Sequence, residues 1–298
     1  MSRTISPKIA LSDGLFTPCE RPSLKLLLCF LISFNYSSGL AADDDVDISV
    51  GFSFLEFHYE EFSDNNHSLN QEYGTLPGIT FAISRALDPW LLKATMSYHA
   101  DDVAYDGQTQ SGFPVVSRSD ADIFDAAFYL EKHLETLTSV DAIYGGIGYH
   151  YWRRHIHATR TDNGTPVHSL LEYYHWVYAA VGTKATIYET EKSRWQLDAR
   201  LTRMLKGQLD VDFLGFGGFD DARLDLGNEW GMHFALPWST QATPNGQLQI
   251  EPYYEQFNIG KSNRANLTIN GSPTQKSVVE PKSKTQNYGI RFIWKQRF

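Results

Sequence analysis

The closing stretch constrains this chain more than any other. Between Asn287 and Phe298, Tyr288, Ile290, Phe292, Trp294 and Phe298 share one parity, and Gly289, Arg291, Lys295 and Arg297 share the other. Successive side chains of a strand point to opposite faces, so this segment carries one apolar face and one basic face. It can lie flat only where one side meets an apolar medium and the other meets water or counter-charges.

The opposite end has a different grammar. Arg3, Lys8, Arg21 and Lys25 precede the apolar run Leu26 to Phe34 and the small residues Ser37 to Ala42, the pattern of a signal peptide over residues 1–42. The run is short of the roughly 20 apolar residues that a retained helix needs to span a bilayer. The lead-in before Lys25 is longer than such a leader requires, which points to a start codon near Lys25. Cys29 follows Leu28 where a lipidated cysteine would follow a small residue, so a lipid anchor is not expected there. Both cysteines, Cys19 and Cys29, precede the cut, and residues 43–298 would form a cysteine-free exported domain. The formal charge of −9 argues against nucleic acid as a partner.

The C-terminal strand with its final aromatic is similar to the last strand of Gram-negative outer-membrane barrel proteins. That resemblance implies that Phe298 belongs to the signal read by the barrel-insertion machinery. It also implies outer-membrane lipid and lipopolysaccharide as surroundings. No cofactor is implied. The fold class expected is all-β, a single up-and-down antiparallel transmembrane β-barrel of about 10 strands with both termini in the periplasm.

Ten alternating stretches support that class. In the first, Ile48, Val50, Phe52 and Phe54 share a parity that then slips to Leu55, Phe57 and Tyr59, as a bulge or a change of environment would cause. The fifth, around Tyr144 to Arg154, is ambiguous in parity, and the sixth offers Tyr174, Trp176, Tyr178 and Ala180 as a lipid face. The eighth has the longest clean alternation, with Leu224, Leu226, Trp230, Met232, Phe234, Leu236 and Trp238 outward. The tryptophans read as interfacial anchors. Connections alternate between short and long, with a loop expected over Asp101 to Ser119 and the longest over Gly260 to Lys284.

With these parities the lumen collects Asp47, Lys93, Asp125, Glu131, Asp198, Arg200, Asp225, Glu229, His233, Glu251, Glu255, Arg291, Lys295 and Arg297. Such charges must pair or stay wet, which leaves two readings, a salt-bridged plug and a narrow polar pore. The resulting function is a non-enzymatic surface barrel, structural, adhesin-like or channel-forming, with external loops as its contact surface.

The alternative is a hydrolase at the external rim. Ten strands and this length resemble the omptins, outer-membrane proteases that activate water with an acidic pair and an Asp-His pair. Asp101 and Asp102 could stand for the first, but Asp210-Val211-Asp212 has aspartate where the omptin pattern has histidine. Outer-membrane acyl hydrolases use a His-x-Ser element on a strand. Here His67-Ser68 and His168-Ser169 are adjacent pairs, and adjacency on a strand would send them to opposite faces. His150, His155 and His157 have ligand chemistry, but no third ligand is spaced in sequence to join them, so no metal site is expected.

Overall fold

The computed structural model describes residues 46–109, 112–134 and 140–298. The expected leader, residues 1–42 with both cysteines, lies outside the described residues. The strands in chain order are β1 (Val46–Phe62), β2 (Ser68–Leu87), β3 (Trp90–Gln108), β4 (Pro114–His133), β5 (Ala142–Ile156), β6 (Thr159–Arg160), β7 (Pro166–Val167) and β8 (Leu170–Glu189). They continue as β9 (Ser193–Asp212), β10 (Ala222–Leu226), β11 (Trp230–Ala235), β12 (Trp238–Thr243), β13 (Gly246–Ile259), β14 (Ala265–Ile269), β15 (Ser272–Val278) and β16 (Lys282–Arg297).

The wall is a closed antiparallel barrel of ten strand positions. It runs from β1 through β2, β3, β4, β5, β8 and β9, then through β10, β11 and β12 in one shared position, to β13 and β16. β16 closes the cylinder on β1, in unbroken register from Asp47 opposite Arg297 to Phe62 opposite Lys282. Closure leaves no edge strand with unpaired backbone groups. The hairpins β6–β7 and β14–β15 sit in the two longest connections.

The end of the barrel carrying Val46 and Phe298 will be called the terminal end, and the opposite end the loop end. At the terminal end the turn between β2 and β3, Asp88-Pro89, is tight. The expected loop over Asp101 to Ser119 is instead almost all strand, because β3 runs on to Gln108 and β4 starts at Pro114.

A belt of exposed apolar side chains girdles the terminal half, including Val50, Phe52, Ile79, Phe128, Ile147, Val181, Leu201 and Phe234. Trp90, Trp195 and Trp294 mark its lower border as exposed aromatics, and Trp230 and Tyr288 lie outward nearer the loop end. Trp152 and Trp176 are corrections to the anchoring expectation, since both are buried inside the barrel.

Above the belt the two faces exchange character. In β1 the outward row passes from Val50, Phe52 and Phe54 to Glu56, His58 and Glu60, while the inward row passes from Asp47 and Ser53 to Leu55, Phe57 and Tyr59. Of the two causes expected for the change of parity in β1, the structure shows the change of environment and not the bulge. The register of β1 against both neighbours is continuous until Glu61, so the polarity changes sides while the side-chain alternation does not. The physical cause is the surroundings, because a wall standing in water must put its apolar residues inside. Leu76, Trp152, Tyr174, Leu209 and Leu224 join Phe57 and Tyr59 in that core. Tyr174, Trp176, Tyr178 and Ala180, expected on a lipid face, are all buried in the bore.

A true slip occurs where the sequence shows none. In β9, Thr202 and Met204 point inward, but so do Leu209 and Val211, and the register against β8 skips Leu205. The eighth wall position breaks at the same level, between Leu226 of β10 and Trp230 of β11, with Gly227 bridged to Gly260. Leu224 and Leu226 therefore face the core, and Asp225 and Glu229, expected in the lumen, are exposed.

Bulky inward tyrosines sit opposite glycines. Tyr144 pairs with Gly182 and Tyr178 with Gly148 on β5 and β8, and Tyr253 pairs with Gly289 on β13 and β16. Each ring occupies the space a side chain on its glycine would need. Gly182→Val is therefore expected to lower stability by about 1–3 kcal/mol through overpacking, read as a lower midpoint of heat-modifiable gel migration.

Candidate functional site

The inward side chains form two ionic layers. The layer at the belt level is built by strand register. Glu251 and Arg291 are directly opposite on β13 and β16, and Arg291 Nη1 donates to Glu251 Oε1 at 2.6 Å. The Arg291 guanidinium lies 3.9 Å from the Tyr253 ring centre. Arg200 Nη2 is 3.6 Å from Glu255 Oε2, and His233 Nδ1 approaches the same oxygen at 3.4 Å without hydrogen-bond alignment. Tyr144 donates to Asp198, and the Tyr178 hydroxyl donates to Asp125 Oδ1 at 3.0 Å. Lys184 pairs with Glu131, while Lys93 faces Glu251, Asp198 and Glu131. At the terminal end Asp47 holds Lys295 at 2.7 Å and Arg297 at 3.3 Å.

The layer above the belt was not foreseen. Arg154 of β5 is fully buried, with Nε donating to Glu72 at 2.7 Å and Nη1 donating to Glu61 at 2.9 Å and Glu172 at 2.8 Å. A fourth carboxylate, Glu280, descends from the connection between β15 and β16 and accepts from Tyr174 at 2.8 Å and Tyr59 at 3.2 Å. Trp152 stacks on Tyr174 at 4.8 Å and meets Phe57 edge-on at 5.5 Å, sealing the cluster from the side of the bore below. One guanidinium thus serves three carboxylates directly, with a fourth held by phenols. Desolvation, reinforced by the Glu61 and Glu172 charges, pushes the Glu280 carboxyl well above its ordinary range. The only sequence signal for this cluster was Arg154 itself, at the end of a stretch whose parity could not be read.

The rim candidates do not converge. Asp102 faces outward and pairs with Arg118 at 3.3 Å, both well exposed. Asp101 is exposed and accepts the Asp102 backbone N–H. Asp210, also outward, holds Arg223 at 2.5 Å, and Asp212 accepts the Leu214 N–H at the end of β9. β3 and β9 stand on nearly opposite sides of the ten-position wall, but Asp102 and Asp210 turn away from the mouth, each toward its own arginine. An acidic pair acting with a second pair across the mouth is not assembled from these residues.

The histidines divide. His150 is inward, stacked on Trp176 at 4.1 Å and 3.2 Å from Asp125 Oδ2. His155 and His157 face outward above the belt, and the third group that sequence spacing could not supply comes from β4. Asp120 Oδ2 is 3.2 Å from His155 Nδ1, and Asp120 Oδ1 is 2.6 Å from His157 Nε2. Ser169 joins them, with Oγ 2.9 Å from His155 Nε2, whereas the His168 ring lies tilted against Phe216 at 4.3 Å. Ser169 lies in the connection between β7 and β8 and reaches His155 from there.

No family model matches the sequence, and no curated protein matches it. Among solved structures, the outer membrane protease OmpT from Escherichia coli is similar with a TM-score of 0.58 at 11% identity, covering 88% of this chain and 99% of that one. The fold is that of an outer-membrane β-barrel. The translocator domain of the autotransporter NalP from Neisseria meningitidis matches with a TM-score of 0.42 at 8% identity, covering 92% and 94% of the two chains. OprG from Pseudomonas aeruginosa matches with a TM-score of 0.37 at 10% identity, covering 85% and 95%.

Removing the cation of the upper cluster should be far more damaging than removing an exposed one. Arg154→Met is expected to cost about 3–5 kcal/mol, because it leaves buried carboxylates uncompensated, whereas Arg118→Met should stay within about 1 kcal/mol. Thermal unfolding followed by gel migration separates the two. Glu280 makes a second prediction. A carboxyl whose folded value is raised contributes stability that is fully present below the ordinary carboxylate range and is lost as pH rises through the raised value. Glu280→Gln should therefore lose less thermal stability than the parent as pH rises above the ordinary carboxylate range.

Proposed function

We propose that this chain is a non-conducting outer-membrane barrel whose loop end is a rigid contact surface rather than a gate or a catalytic mouth. The observation that carries the reading is the double layer of inward side chains. The belt-level ion pairs and the aromatic core around Arg154 lie in series along one bore, so a solute would have to disrupt both. A ten-stranded barrel is only slightly wider than the eight-stranded kind whose interior side chains can fill. Ion pairs with phenols and guanidinium–ring contacts are a filling that remains polar without water.

On this reading the apolar belt meets lipid, the terminal end lies in the periplasm and β16 is the segment engaged by the insertion machinery. Lipopolysaccharide is the partner of the outer wall just above the belt. There Arg153 Nη1 donates to Asp122 at 2.6 Å, the Tyr98 hydroxyl donates to Asp122 at 2.8 Å, and Arg118 is exposed, a mixed set of donors suited to phosphate and sugar.

Single-channel recording in a planar bilayer is the test. The purified protein is expected to give no discrete conductance steps, and opening one layer alone, with Trp152→Ala and Arg154→Ala, is expected to leave it closed because the belt-level ion pairs remain. Regular steps from the parent protein would assign it to the channels and sink the reading.

A further inference from the structure

The outer-wall group of Asp120, His155, His157 and Ser169 has no part in the bore. Asp120 and His155 are directly opposite on β4 and β5, and His157 lies two residues along the same face. The ladder continues past the end of β5 to fix that second histidine. The His157 N–H donates to Arg118 O at 3.0 Å, and Ser117 Oγ donates to His157 O at 2.9 Å. Two imidazoles and a carboxylate are therefore held by paired strands, with their side chains between a quarter and a third exposed.

The hydrogen bonds of Ser169 decide between two chemistries. A Ser–His–Asp relay needs the serine hydroxyl to donate to the imidazole. Ser169 Oγ instead donates to Ile156 O at 2.7 Å, and with its one proton committed it accepts from His155 Nε2 at 2.9 Å. The His155 proton then sits on Nε2, and the bare Nδ1 lone pair points at the Asp120 carboxylate. Lone pair and anion at 3.2 Å repel unless a positive centre lies between them. His157 brings a second ring nitrogen to the other oxygen of the same carboxylate, and the two rings are only 4.6 Å apart. A proton in the His155–Asp120 contact would relieve the repulsion at one nitrogen, and direct metal titration separates that case from a bound cation. One divalent cation satisfies both nitrogens and the carboxylate together.

We propose that Asp120, His155 and His157 bind a divalent cation of the zinc type on the outer wall. Two neutral imidazoles and one carboxylate suit borderline metals, and three protein ligands leave at least one position open to water or an external anionic ligand. With metal–ligand bonds of about 2.0 Å, ligand atoms on a tetrahedral centre lie about 3.3 Å apart. The contact from Asp120 to His155 already fits, and the one to His157 at 2.6 Å opens slightly on binding. All the ligating atoms lie within 4.8 Å of one another. Ser169 acts behind the site, holding the His155 tautomer, as partners of metal-bound histidines commonly do.

The test is isothermal titration of the metal-stripped full-length protein, folded in detergent micelles, with Zn2+. One equivalent is expected to bind, with Kd on the order of micromolar. His157→Ala and Asp120→Asn should each weaken binding by about tenfold or more, Ser169→Ala should weaken it by about tenfold, and His175→Ala should leave it unchanged. Heat-modifiable migration confirms that each variant is folded, and X-ray absorption at the zinc edge of the parent protein should report two imidazole nitrogens without any variant. Absence of saturable binding, or binding unchanged in the His155→Ala/His157→Ala double variant, overturns the proposal. So does covalent capture of Ser169 by a fluorophosphonate in the metal-free protein, which would make that serine a nucleophile.

Discussion

A wall whose side chains alternate strictly must carry its apolar atoms on whichever side is drier, and this barrel passes through two surroundings. Beside the belt the drier side is outside, and above it the drier side is the bore. Everything else in the molecule follows from that exchange. It places an ordinary protein core of Phe57, Trp152, Tyr174, Leu209 and Leu224 at the loop end, and it leaves polar residues to fill the bore at the belt.

The exchange also explains what the sequence revealed and what it concealed. β1 keeps one parity throughout, so its apolar residues move from even to odd positions, which in sequence looks like a bulge. The eighth wall position does the reverse. Its real break between Leu226 and Trp230 coincides with the exchange of surroundings, and the two cancel. The apolar residues Leu224, Leu226, Trp230 and Phe234 then fall on one unbroken sequence parity although the first two face the core and the last two face outward. Alternation alone gives the period of a strand and not which face is wet.

The same logic divides the site residues. Pairs on adjacent strands near the chain end, such as Glu251 with Arg291, were legible because both strands could be aligned from the alternation. Arg154 with Glu61 and Glu72 was not, because β5 meets β1 and β2 only across the bore, and Glu172, although directly opposite Arg154 on β8, lies beside a stretch whose parity is ambiguous in sequence. Asp120 was hidden from His155 and His157 for a related reason. It lies in β4 immediately after the segment expected as loop, where the alternation starts too late to give a register from which to find a partner. Strand length above the belt was the missing quantity, since strands there lack a lipid-facing row.

Glu280 gives the upper cluster a significance beyond packing. Its carboxylate reaches hydroxyls from β1 and β8, which lie five steps apart in the order of the wall. Those two hydroxyls come within reach of one carboxylate only after the sheet has curled into a cylinder. The seated Glu280 therefore ties opposite sides of the wall together, and its two hydroxyl contacts are a chemical record that the cylinder has closed.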